Sequence, residues 1–179
     1  MKKILFVLVF AFVASSAMAQ SIVSYHGELN VGGSFGVLGP PINFVSFHTI
    51  QGVGITDYAS VGVGFGLDMH NEFSELGGSD YGFAGKETDL LLPIFLNAKG
   101  YLPFAKKNKV YLSLDLGKKI GITEQAKGYL PIFAVPAVGV MLNKFLFQIG
   151  FSIEDELWML GGSEYSGMGA VQFKLGAKF

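Results

Sequence analysis

Apolar and polar residues take turns along most of this chain with a period of two. At the far end Val171, Phe173, Leu175, Ala177 and Phe179 alternate with Gln172, Lys174, Gly176 and Lys178. Successive side chains of a strand point to opposite faces, whereas a helix repeats near 3.6 residues, so the pattern predicts strands. The same alternation predicts a first strand from about residue 22 to 36, with Tyr25, Leu29, Val31 and Phe35 opposed by His26, Glu28, Asn30 and Ser34. A second, over 43–55, sets Val45, Phe47, Val53 and Ile55 against Ser46, His48, Gly52 and Gly54, a phase that turns Thr49 and Gln51 outward with the apolar set. Further strands follow over 59–70, 88–101, 109–117, 132–142, 145–154 and 171–179. Pro136, on the apolar side of the sixth, must sit at a bulge or an unpaired position because it brings no N–H to a ladder.

Eight strands of ~10 to 14 residues, joined by short and long connections in rotation, are the pattern of a closed antiparallel barrel. The short turns fall near Asp57, Lys106 and Asn143; the long connections are centred on Pro40, Ser79, Gln125 and Gly162. A soluble sandwich or calyx also alternates, but it puts its apolar side chains inside. Here the side opposite the aliphatics carries Glu28, Asp68, Lys99, Asp115 and Lys174, and a water-soluble core rarely tolerates such charges. The expected fold is therefore all-β: a transmembrane barrel with lipid outside and a closed polar lumen.

Composition agrees. Half of the 179 residues are hydrophobic and mean hydropathy is +0.45, yet after the start of the chain no segment is apolar for the ~20 residues of a spanning helix. The 25 Gly and 17 Phe fit a narrow barrel with aromatic girdles. At the start, Lys2 and Lys3 precede an apolar run from Ile4 to Val13 and an Ala17-Met18-Ala19 cleavage pattern, predicting a signal peptide over 1–19 and a barrel domain over 20–179. Without Lys2 and Lys3 the chain holds 11 Lys, no Arg and 14 acids, a poor balance for nucleic acid. The absence of Cys removes disulfides, thiolate metal sites and a Cys nucleophile.

The expected lumen holds His26, Glu28, His48, Asp68, His70, Lys99, Asp115, Glu154 and Lys174. These can satisfy one another as ion-paired layers, with Glu28 and Lys174 paired across the closing seam and Lys99 near Asp115. Ser46-Phe47-His48 and His26-Gly27-Glu28 each put two polar groups on one face, which is what a hydrolytic or metal site would use. Any alternating strand produces such pairs, so no catalytic residue, metal ligand or cofactor is assigned. A barrel of this size is filled by its own side chains, which disfavours an open pore.

One repeat stands out. Leu76-Gly77-Gly78-Ser79-Asp80-Tyr81 recurs as Leu160-Gly161-Gly162-Ser163-Glu164-Tyr165, both in long connections. Shared turn chemistry or an old duplication accounts for it; a paired recognition element is the functional alternative, since function collects in loops. Trp158, the only Trp, fits an aromatic belt at the lipid interface or an exposed contact, and the belt is the preferred reading.

The cleavage pattern, the strand from Ala59 to His70, the segment from Leu92 to Lys99 and the closing strand resemble the OmpA/OmpX-like family of small outer-membrane barrels. Val171, Phe173, Leu175 and Phe179 resemble the outer-membrane sorting signal of such proteins, which implies contact with the barrel-assembly machinery during insertion and outer-membrane lipid thereafter. The family resemblance implies an integral outer-membrane protein with a structural or surface-binding role and an unknown ligand. A lipid-modifying barrel enzyme and a narrow channel are the alternatives.

Overall fold

The structure, a computed structural model, describes residues 24–38, 43–71, 89–105, 107–123, 126, 130–155 and 168–179. Eight strands follow one another: β1 Ser24–Leu38, β2 Asn43–Thr56, β3 Ala59–Asn71, β4 Asp89–Ala105, β5 Asn108–Gly121, β6 Ile132–Leu142, β7 Phe145–Asp155 and β8 Met168–Lys178. Each pairs antiparallel with the next, and β8 pairs back onto β1 to close the ring. Closure leaves no free edge, the condition for strands to cross a medium that offers the backbone no hydrogen bonds. Beyond β8, Phe179 continues the seam, accepting from the Gly27 N–H at 3.3 Å and donating to the Gly27 carbonyl at 2.9 Å.

The two faces separate as the alternation demands. Phe47, Phe65, Leu96, Leu112, Leu116, Phe147 and Leu175 stand outward and exposed, while the intervening side chains are buried inside the ring. Val171 is half-buried on the outer face, and Phe173, Leu175 and Phe179 are exposed there. Thr49 and Gln51 do face outward, and their polar atoms are satisfied within the wall. The Thr49 hydroxyl donates to the Glu28 carbonyl at 3.1 Å, the Gln51 amide donates to Thr49 Oγ1 at 2.7 Å, and the Tyr25 hydroxyl donates to Gln51 Oε1. Such internal pairing removes most of the cost of polar atoms in hydrocarbon.

Two prolines are tolerated by the same device. Pro136 stands opposite Leu114 of β5, while the β6–β7 ladder is interrupted between Ala134 opposite Ile153 and Ala137 opposite Gly150 with no change of register. Pro93 stands opposite Lys119, and the β3–β4 ladder is interrupted beside it, between Phe65 opposite Ile94 and Asp68 opposite Leu91. Each ring thus occupies a place where no N–H is used. The β6–β7 hairpin turns in two residues, with Asn143 at φ 60°, the left-handed conformation that Asn accepts more readily than most residues.

Two boundaries differ most from expectation, while β8 also begins earlier, at Met168, and β1 runs on to Leu38. β5 continues to Gly121, so Lys118, Lys119 and Ile120 are strand residues rather than loop, and β4 continues to Ala105 through a register shift after Pro103. In both cases charge or Pro reads as a turn signal, but the barrel wall supplies pairing partners that carry the strand further. A lysine placed at Phe173, half-way along β8 on the outer face, is expected to cost about 2–4 kcal/mol of folding free energy. Urea titration of the Phe173→Lys variant in lipid vesicles, read by gel mobility of unboiled samples, measures that loss.

Candidate functional site

The polar constellation inside the ring is built from alternate residues of seven strands. His26, Glu28, His48, Asp68, Lys99, Asp115, Glu154 and Lys174 are all buried, with exposures from 0% to 6%. The side chain of His70 lies outside the described residues, as do Ser79, Asp80, Tyr81, Trp158, Ser163, Glu164, Tyr165 and the segment 1–23.

The partners are not those expected. Lys174 donates to Asp115 Oδ2 at 3.0 Å, and Lys99 donates to Glu28 Oε2. Glu28 therefore does not pair with Lys174, nor Lys99 with Asp115. The β1–β8 register puts Lys174 opposite Gly32 and Lys178 opposite Glu28, so the seam separates the first pair. Both observed pairs instead join strands three apart around the ring, β1 to β4 and β5 to β8. Inward side chains converge on the barrel axis, and a lysine is long enough to meet a carboxylate across the lumen rather than along the wall.

Lys119 is the principal residue that the pattern along the chain did not disclose. Its ammonium lies 3.0 Å from Asp68 Oδ2 and 2.5 Å from Glu154 Oε1, tying β3, β5 and β7 together, and 4.0 Å from the centroid of Phe44. The signal was present: Gly117, Lys119 and Gly121 continue the inward set of β5 after Ser113 and Asp115. Asn97 was also missed, and its amide donates to Asp115 Oδ1 at 2.5 Å.

Each lumenal lysine is held between a carboxylate and an aromatic ring. Lys99 lies 5.0 Å from the Tyr111 centroid, Lys174 5.7 Å from that of Phe95, and Lys119 5.6 Å from that of Phe133 as well as close to Phe44. Such contacts add cation–π attraction to the ion pairs. Two apolar clusters pack beside the charged groups: Tyr101, Tyr111, Met141 and Leu146 toward the turn end, and Ile50, Phe95, Phe133 and Val135 farther up. Small residues make room for the rings, since a Cβ at Gly64 would fall within the Phe95 ring and one at Gly139 within that of Tyr111.

The histidines are secured as well. His26 Nε2 is 2.6 Å from Glu28 Oε1 and His48 Nε2 is 2.8 Å from Asp68 Oδ1. Ser60 and Tyr101 meet at 3.1 Å beside His26. No cluster of three or more His, Cys, Asp or Glu suited to a metal ion occurs among the described residues.

No family model matches this chain, and no curated protein matches it. Among solved structures it is similar to Neisserial surface protein A, at 12% identity over 87% of this chain and 97% of that one, with a TM-score of 0.56. It is also similar to the N-terminal β-barrel domain of Pseudomonas aeruginosa OprF (14% identity, 86% and 97% covered, TM-score 0.47) and to a de novo designed transmembrane β-barrel (9%, 86% and 95%, TM-score 0.45). A closed eight-stranded antiparallel ring, apolar outside and ion-paired within, is a transmembrane β-barrel. Its fold is the one seen in the neisserial protein, as a small outer-membrane barrel of this size would have.

Proposed function

We propose that this chain is an integral outer-membrane protein whose barrel is a closed scaffold and whose long connections make its external contacts. The carrying observation is the lumen: carboxylate, ammonium and aromatic groups from strands two and three apart around the ring meet inside it at bonding distance. A filled lumen of this kind supports a structural or surface-binding role over conduction. The two copies of the Leu-Gly-Gly-Ser-acid-Tyr sequence follow β3 and β7, which stand four strands apart and so on opposite sides of the ring. That spacing favours a pair of contacts on a partner, with Ser79, Asp80, Tyr81, Ser163, Glu164 and Tyr165 as the recognition residues and Trp158 at the lipid interface. By analogy with small outer-membrane barrels, the short turns face the periplasm and the long connections the exterior.

Purified protein reconstituted in planar bilayers is expected to give no reproducible single-channel steps; regular steps would make it a channel. Folded protein is expected to migrate differently from boiled protein on a gel, and identical mobility would remove the barrel reading. The buried histidines, each bonded to a carboxylate inside the ring, offer no surface from which to act on lipid. Deleting the gene should therefore leave the lipid A profile unchanged.

A further inference from the structure

Charge is segregated along this barrel. The short connections and the strand ends beside them carry Lys106, Lys107, Lys109, Lys144 and Lys178 against one acid, Asp57. The long connections and their flanking strand ends hold nine of the 14 acids, with only Lys86, Lys118 and Lys127. Apart from Lys2 and Lys3, the remaining lysines and acids are those of the lumen.

The turn-end lysines are placed on one continuous arc of backbone. The Asn143 N–H donates to the Lys107 carbonyl at 3.1 Å, and the Lys178 N–H donates to the Lys144 carbonyl at 2.7 Å, which links the β4–β5 turn, the β6–β7 turn and the end of β8. Lys107 and Lys144 are exposed and Lys178 is half-buried. Lys109 is used internally: its ammonium donates to the Asp57 carbonyl at 2.7 Å and lies 5.3 Å from the Tyr101 centroid. Asp57 is the lone acid at this end, on the β2–β3 turn.

Beside the arc stand rings on the outer face. Phe104, Phe145 and Phe179 are about 60% exposed, at 59%, 62% and 60%. Phe145 follows Lys144 directly and Phe104 precedes Lys107 by one short turn, whereas Lys178 alternates with Phe179 and stands on the lumen side opposite Glu28. An aromatic ring outside the wall with an ammonium one step beyond it matches the depth profile of a bilayer, acyl boundary then headgroup phosphate.

We propose that Lys107 and Lys144 form a binding arc for the phosphate groups of anionic phospholipids in the leaflet at the turn end. This rests on the transmembrane reading given above and adds to it a headgroup preference and the residues that carry it. A lysine near an anionic surface gains free energy that salt screens, and two neighbouring exposed ammoniums add such gains.

The test uses the whole folded protein in uncharged detergent micelles with equal amounts of phosphatidylglycerol and phosphatidylcholine, with retained lipid read by native mass spectrometry. The wild type should retain phosphatidylglycerol over phosphatidylcholine by roughly tenfold, and added salt during loading should abolish the preference. The Lys107→Ser/Lys144→Ser variant should lose the preference, and Lys118→Ser, at the opposite end of the outer face, should keep it. A wild type without preference, a preference that survives salt, a double variant that retains it, or its loss in Lys118→Ser would each overturn the arc. If the double variant does not fold, the wild-type salt series and Lys118→Ser decide. Gel mobility of unboiled wild type is read alongside, since absence of a shift there sinks the transmembrane reading itself, whereas a normal shift without lipid preference sinks the arc alone.

Discussion

Replacing Lys119 by methionine is expected to lower the stability of the barrel by about 3–5 kcal/mol. Methionine is close to lysine in length and apolar, so the change removes little packing volume. What it removes is, among the described residues, the only ammonium within ion-pair distance of both Asp68 and Glu154, which are 1% and 0% exposed. Two carboxylates would then remain buried with His48 and Ser152 as their neighbours, and hydrogen bonds from those groups cannot neutralise them. An uncompensated buried charge costs several kcal/mol, far more than the net contribution of the intact pair. The cause can be separated from lost packing. Adding Asp68→Asn and Glu154→Gln to the methionine variant removes the stranded charges and should recover most of the loss. Urea unfolding in vesicles of the wild type, the single variant and the triple variant measures both effects. A single variant within 1 kcal/mol of wild type would show that Lys119 does not neutralise this cluster.

Gly64→Leu is the second large effect. Its new side chain enters the lumen where the Phe95 ring already stands, and Phe95 is fixed by Phe133 at 5.9 Å and by His48 at 5.3 Å between centroids. Overpacking of this kind costs about 1–3 kcal/mol, and more where the wall cannot yield. A barrel wall yields little, because each strand is hydrogen-bonded on both sides. Phe95→Ala alone leaves a cavity and should cost about 3–5 kcal/mol. Combined with Gly64→Leu, the leucine fills part of that cavity, so the double variant should be more stable than Phe95→Ala alone. A double variant whose loss equals the sum of the single losses would mean that the two side chains do not compete for one space.

The wall of this protein was legible along the chain because lipid and lumen impose a binary choice at every position. The outward set from Val61 to Met69 and the inward set from Ser113 to Asp115 follow from period two alone. Even Thr49 and Gln51, polar residues on the apolar face, keep the phase, because the wall supplies their partners. Pairing inside the lumen was not legible. Glu28 and Lys99 are 71 positions apart and Lys174 and Asp115 are 59, and only the shear of the closed ring decides which residues meet at the axis. Lys119 was hidden for another reason. It follows Gly117 and Lys118 in a charged, Gly-containing stretch that reads as a connection, and only pairing with Pro93 and with the residue before Ile132 keeps it in the wall.

The central claim is that hydrocarbon surrounds this ring and that the polar set points inward. The chain has no Cys, so single cysteines at 171, 172, 173, 174 and 175 can each carry a spin label in protein folded into lipid vesicles. Collision rates with oxygen, which concentrates in the acyl region, should be high at 171, 173 and 175 and low at 172 and 174. A reversed pattern, or equal rates at all five positions, would contradict the account.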